Sequence, residues 1–192
     1  MYRKLDKILS KYVEQTFRLF QAYRVLPFDE INFLKSNKEM WKKLDKLTKE
    51  GLHEIGLAYY NKEPHGDGFW GYADLYLMLR TPSPVLKYSY DKEFARKKER
   101  FEEALIATHG NKEEFDRMLR EYVKFLGWEA IEVADGALAK ARMDDGVLKV
   151  RWKSENDNRV CSVCRGYEGR VFKITDVPDK PHPGCRCWLE RA

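Results

Sequence analysis

Cys161-Ser162-Val163-Cys164 and His182-Pro183-Gly184-Cys185-Arg186-Cys187 are the two stretches on which the reading of this chain turns. All four cysteines of its 192 residues lie in them, and the first 146 residues contain none. A Cys-x-x-Cys turn can direct both sulfurs at one metal ion, and a second cluster downstream can close a tetrahedron around it. Five candidate ligands, Cys161, Cys164, His182, Cys185 and Cys187, compete for four positions. Cys161 and Cys164 belong to every plausible set. Cys185 with Cys187 then completes a four-cysteine site, whereas His182 with either of them makes a three-cysteine, one-histidine site, and the spacing does not choose. One structural Zn2+ per chain is expected, since four protein ligands leave no open position for water or substrate.

The competing reading is a pair of disulfides or four free thiols. Charges interrupt the opening Met1–Ser10, so it does not read as an export signal. In a reducing cytosol lasting disulfides are disfavoured. The residues around the cysteines suit a small metal-nucleated β unit over 147–192. Val147–Trp152 alternates apolar and charged residues as a strand does, and so does Arg170–Ile174. Asp157 and Asn158 can fold a turn before Cys161. Gly166, Gly169 and Gly184 permit tight turns, and Pro178, Pro181 and Pro183 stiffen the loop that carries His182. So short a segment buries too little surface to fold alone. A structural zinc can supply the difference, at about 10–16 kcal/mol in small zinc domains.

Arg151-Trp152, Asp157, Arg159-Val160-Cys161-Ser-Val-Cys164, Gly169 and Pro181-His182-Pro183-Gly-Cys185-Arg186-Cys187 occur in an order that resembles the C-terminal signature of tailed-phage minor head proteins, the Mu F-like head morphogenesis family. The resemblance covers the last quarter of the chain. It implies a low-copy structural and assembly component of the virion, in the capsid interior or at the portal vertex, and in the host cytoplasm during assembly. Portal and capsid proteins would be its partners, with multiple copies per particle, possible contact with packaged DNA, and a role in head morphogenesis and DNA packaging or delivery.

The first 146 residues read as a helical body, so the fold class expected is mainly α: several antiparallel helices with a small C-terminal zinc-bound β unit. Leu5, Ile8, Leu9, Tyr12, Thr16, Leu19, Phe20 and Tyr23 repeat at helical spacing between Tyr2 and Val25. Asp29 can cap a short helix through Leu34, and Ser36 or Asn37 a longer one to about Tyr60. Residues 62–68 read as a loop. Phe69–Arg80 reads as a short helix whose Phe69, Trp70, Tyr72, Tyr76 and Met78 are either core or a recognition surface, and Thr81-Pro-Ser-Pro84 breaks it. A helix is expected from Asp91 to Thr108, stopped by His109-Gly110. The last is capped by Asn111, has Glu113 and Glu114 in its first turn, and carries a stripe of Phe115, Met118, Leu119, Tyr122, Leu126, Ala130, Val133, Ala137 and Ala141. Small residues from Ala134 to Ala141 invite close approach of another helix, and Asp144-Asp145-Gly146 ends this one.

Composition narrows the function. The chain is 35 per cent charged with a formal net charge of +5, and no apolar run is long enough to span a membrane. His53, His65 and His109 are scattered without a nucleophile pattern, and Glu102-Glu103 and Glu113-Glu114 read as solvated faces, so an enzyme is not expected. The alternative is a zinc-stapled nucleic-acid-binding or HNH-like nuclease module with His182 as general base. Residues 147–192 hold ten Lys or Arg against six Asp or Glu, a formal +4 that four zinc-bound thiolates would lower to +2. That is a weak electrostatic case for DNA, with Arg151, Lys153, Arg159 and Arg165 as its candidate phosphate contacts.

Overall fold

Where the apolar periodicity is strongest, the chain forms helices: α1 (Arg3–Ala22), α2 (Glu30–Tyr60), α3 (Tyr72–Arg80), α4 (Tyr90–Ala107) and α5 (Lys112–Asp144). The C-terminal unit follows, with β1 (Lys149–Ser154), the short α6 (Ser162–Tyr167), β2 (Val171–Lys173), a 3-10 turn and β3 (Cys187–Arg191). The structure is a computed structural model that describes residues 3–24, 27–83, 87–155, 157–182, 185 and 187–192. Met1, Tyr2, Val25, Pro84, Pro183, Gly184 and Arg186 lie outside the described residues, as does the side chain of Leu5. The chain is mainly helical with a small C-terminal sheet.

Side-chain caps set the starts of α2 and α5. Asp29 accepts the Asn32 N–H at 2.8 Å, and Asn111 accepts those of Glu113 and Glu114 at 2.8 and 3.2 Å. Both satisfy amides that the first helical turn leaves unpaired. The expected break near Ser36 does not occur, and α2 runs unbroken from Glu30. Asn37 is only 2 % exposed and donates its side-chain amide to Glu102 of α4 at 2.8 Å. A side chain committed to another helix cannot cap its own backbone. The same bond half-buries Glu102, which periodicity alone places on a solvated face. α4 ends where His109 and Gly110 both take positive φ, 48° and 70°, and the Gly110 N–H returns to the Leu105 carbonyl at 2.8 Å.

The stripe expected on α5 is buried throughout, and α2 lies along it. The centre of the body is aromatic. Phe20 of α1 is fully buried and meets Trp41, Phe101, Phe115 and Tyr122 at ring-centroid distances of 5.5–6.1 Å, mostly edge to face. Such contacts contribute about 0.5–1.5 kcal/mol each beyond the area they bury. They draw α1, α2, α4 and α5 to one point. The aromatic segment before and within α3 divides between the two readings considered for it. Trp70 is buried against α2, where the missing side chain of Gly56 makes room for its indole. Phe69 and Leu77 are 74 and 70 % exposed, and Tyr72 and Tyr76 are also exposed. Close approach at the small-residue end of α5 is made by α3, whose Met78 lies over Gly136.

In the C-terminal unit β1 is central, antiparallel to β2 on one side and β3 on the other. Alternation along β1 buries Val150 and Trp152 on one face. Trp152 meets Tyr167 edge to face at 5.2 Å, and Tyr167 meets Phe172 at 5.7 Å. The register sets Cys187 opposite Ser154 and Leu189 opposite Trp152. β3 and α6 go beyond the sequence reading: Cys187–Arg191 is short and alternates poorly, and the residues after Cys161 read as a turn.

Ion pairs fasten this unit to the body. Glu63, just past α2, accepts from Arg142 of α5 at 2.6 Å and from Arg191 of β3 at 2.9 Å. Arg191 also reaches Asp145 at 2.6 Å and the Pro64 carbonyl at 3.0 Å. Lys180 pairs with Asp135 of α5. Burial alone would raise the Glu63 carboxyl, but the two guanidinium groups lower it below its ordinary value. Arg142 is 4 % exposed, so removing its partner strands a buried charge.

Two substitution pairs test this packing. Gly127 lies inside α5 with nothing within 4 Å of the place a β-carbon would take, so Gly127→Ala is expected to stabilise by about 0.5–1 kcal/mol in urea melts. Gly56→Ala would set a β-carbon against the Trp70 indole, closer than carbon atoms can approach, and should destabilise by about 1–3 kcal/mol. Equal effects of the two changes would refute the packing described. Glu63→Gln is expected to cost about 3 kcal/mol and to speed proteolysis between α5 and β1, whereas Glu155→Gln, on an exposed residue, should do neither.

Candidate metal centre

The fold brings the two cysteine clusters together from three elements. Cys161 stands at the N-terminus of α6 and Cys164 in its first turn. Cys185 lies just before β3, and Cys187 begins it. The Cys164 N–H points at the Cys161 sulfur at 3.5 Å, which places a backbone dipole against any charge on that sulfur. Cys164 and Cys185 sulfurs are 2.9 Å apart, and Cys185 and Cys187 are 3.1 Å apart. Those separations exceed the length of a disulfide, about 2.05 Å, and all four cysteines are free.

All five candidate ligands gather here. Cys161, His182 and Cys185 offer donor atoms within 4.8 Å of one another, and so do Cys164, Cys185 and Cys187. Cys185 belongs to both groups and is therefore the pivot of the array. Cys164, Cys185 and Cys187 are buried, Cys161 is partly exposed, and His182 is exposed at the rim. Behind the sulfurs, Trp152 and Val160 close the site on the protein side.

The protons of the array are divided unequally. Burial, reinforced by the hydrogen bond with Cys185, pushes the Cys164 thiol up to about 12. Its hydrogen bond to Cys185, with burial added, carries Cys187 far upward as well. Cys185 receives those bonds, Cys187 foremost, and falls to about 5 despite burial. Burial works against the Cys161 thiolate too, but the Cys164 backbone N–H and the side chains of Cys164 and His182 together lower that thiol. Four thiolates at this spacing repel one another unless a cation lies among them. A donor set of sulfurs with one imidazole suits a borderline-soft ion and not an oxygen-seeking one. On both grounds the C-terminal Cys/His cluster fits a metal ion.

The basic residues of this unit are largely engaged with their neighbours. Lys153 pairs with Glu168 at 2.9 Å, and Glu168 also accepts the Ser154 backbone N–H and hydroxyl at 2.6 and 2.7 Å. Arg159 reaches Asp157 at 3.5 Å, and Arg165 donates to the Val160 carbonyl at 3.2 Å. Arg151 is exposed on β1. Asp157 also makes the expected turn, accepting the Arg159 N–H at 3.0 Å. The three other histidines lie away from this site: His53 stacks on Tyr72 at 3.8 Å, His65 on Tyr60 at 4.5 Å, and His109 sits at the end of α4 beside Phe28. Among the described residues, no helix is long and apolar enough to cross a membrane.

No family model, no curated protein and no solved structure matches this chain.

Protein purified under reducing conditions is expected to carry one bound metal ion per chain. Cys164→Ser or Cys187→Ser should abolish binding and expose residues 147–192 to protease while the helical body stays folded by circular dichroism. Unchanged metal content in both variants would refute the site.

Proposed function

We propose that this chain is a minor head component of a tailed phage or provirus, a structural and assembly factor whose C-terminal unit is held by one zinc ion. The reading rests on the order of the signature residues, and one observation supports it most. Trp152, Asp157, the paired cysteines and Cys185 with Cys187 all serve the same small unit, as core, turn and candidate ligands. Residues that act as core, turn and ligands in this way ask for no catalytic group among them.

Zinc is the ion proposed because its tetrahedral sites accept four thiolates at about 2.3 Å and involve no redox chemistry. Cys161, Cys164, Cys185 and Cys187 are the proposed ligands. Three of them are buried, and the Cys164 N–H already supports the fourth. His182 would stand beside Cys161 outside the tetrahedron. The ion would neutralise charge and link α6 to β3, bridging two segments separated by the loop through residue 182. No water position is left for hydrolysis, so the role proposed is structural.

The proposed docking surface is the exposed row of Phe69, Tyr72, Tyr76 and Leu77, presented by the helical body toward the portal or the inner shell. Exposed aromatic and aliphatic side chains in one short stretch suit a protein interface. The nucleic-acid alternative gains little from the surface of the C-terminal unit, where Lys153 and Arg159 already have carboxylate partners.

Quantitative mass spectrometry of purified particles and procapsids tests the assignment. The expected result is roughly a few to a few tens of copies per particle, with Phe69→Ser/Leu77→Ser reducing that number without lowering the melting temperature. Absence from both particle types, together with magnesium-dependent cleavage of plasmid DNA, would replace it with the nuclease reading. His182→Ala is expected to retain one zinc per chain, and its loss would move the histidine into the ligand set.

A further inference from the structure

A cleft of about 150 Å³ opens between the end of α3, the segment around Ser83 and one side of α5. Its apolar walls include Met78, Leu79 and Val133, and its polar lining includes Glu129 and Glu132. Glu129 is the unusual member. It is only 6 % exposed, it lines the cleft, and among the described residues no hydrogen bond or ion pair reaches its carboxylate. Glu132, one turn on, accepts from the Ser83 hydroxyl at 3.1 Å. Nearby bases are engaged with other acids: Arg96 and Lys97 with Glu93, and Lys180 with Asp135.

Leaving a carboxylate buried and unpaired is costly, and a protein normally answers such a charge with a partner or a proton. Here burial, together with the charges of Glu132 and Glu93, pushes the Glu129 carboxyl up to about 8. At neutral pH a proton therefore supplies the neutrality, and a cation in the cleft would displace it. Glu129 and Glu132 are two acids in a lining that is otherwise largely apolar and aromatic, which suits a cation carrying an alkyl chain. Tyr88 and Tyr90 belong to the lining as well, and an aromatic ring beside an ammonium group attracts it. The apolar walls suit a short alkyl chain.

We propose that this cleft is a binding site for a primary alkylammonium group, with Glu129 as its counter-ion, Glu132 beside it, and the methylenes of the ligand against Leu79 and Val133. The same chemistry arrives either as a free small amine or as a lysine side chain of a partner polypeptide. The site is independent of the metal centre and of the head-protein assignment, and it survives the failure of either.

Binding is read by two-dimensional amide NMR of the full chain at a pH of about 8.5, on the alkaline side of the Glu129 carboxyl. The probes are n-butylammonium, Nα-acetyl-lysine N-methylamide, the neutral isostere 1-butanol, and calcium. The expected result is saturable shifts at Leu79, Ser83, Tyr88, Glu129 and Val133 with butylammonium and none with butanol. Glu129→Gln, which keeps the shape and removes the charge, should weaken binding at least tenfold while leaving the rest of the spectrum in place. Tighter binding of the lysine amide identifies a polypeptide lysine as the source, and tighter binding of butylammonium identifies a free amine. Equal shifts from butanol, undiminished binding by Glu129→Gln, no saturation, or the same shifts from calcium would each overturn the proposal.

Discussion

Four sulfurs confined within a few ångströms are the constraint on which the C-terminal quarter of the architecture depends. The strands around them are short, and β2 has only three residues. Apart from the cysteines, the buried hydrophobic residues of that cluster are Trp152 and Val160, with Tyr167, Phe172, Val177 and Leu189 packed against them. A core of that size cannot offset the entropy of ordering the whole segment from 147 to 192. The thiol cluster lies at the junction of α6 and β3, where a bound metal ion would add the stability that so small a core lacks. With the proposed zinc in place, mutual repulsion among the thiolates becomes attraction to a shared cation, and the pairing of β3 with β1 follows from the position of Cys187.

The helical body is built on the opposite principle. It needs no cross-link because its core is large and specific. Phe20 joins the first helix to three others at one point through its ring contacts with Trp41, Phe101 and Phe115. Polar groups inside are tied across helices, as Asn37 is to Glu102 and Thr48 to Tyr122 at 2.7 Å. Glu63 then joins the two regimes. It holds one arginine from α5 and one from β3, so charge fixes the sheet to the bundle.

Much of the helical body was legible in the chain itself, because helix periodicity, N-caps and glycine stops are local. Asn111 with Glu113 and Glu114, the stripe from Phe115 to Ala141, and His109-Gly110 each carry their meaning within one or two turns of helix. The gathering of cysteines at one end was legible for a different reason: sulfur ligation demands particular residues at particular spacings, and few other chemistries do. The reading failed at Asn37, a residue that can cap or can cross to a neighbour with equal local plausibility. It also failed at β3, where pairing with β1 outweighs a poor alternation pattern.

The order of residues is enough to make the chain mainly helical, to gather its cysteines in one small C-terminal unit and to place several of its helix ends. These are consequences of short-range stereochemistry and of ligand chemistry. Long-range packing makes Trp70 core and leaves Phe69 and Leu77 at the surface, makes Cys185 the pivot of the thiols, clamps two arginines on Glu63, and buries Glu129 without a partner among the described residues. Each of these depends on which distant residue comes within a few ångströms of another. Periodicity specifies the face of an element and carries no information about what will be packed against it.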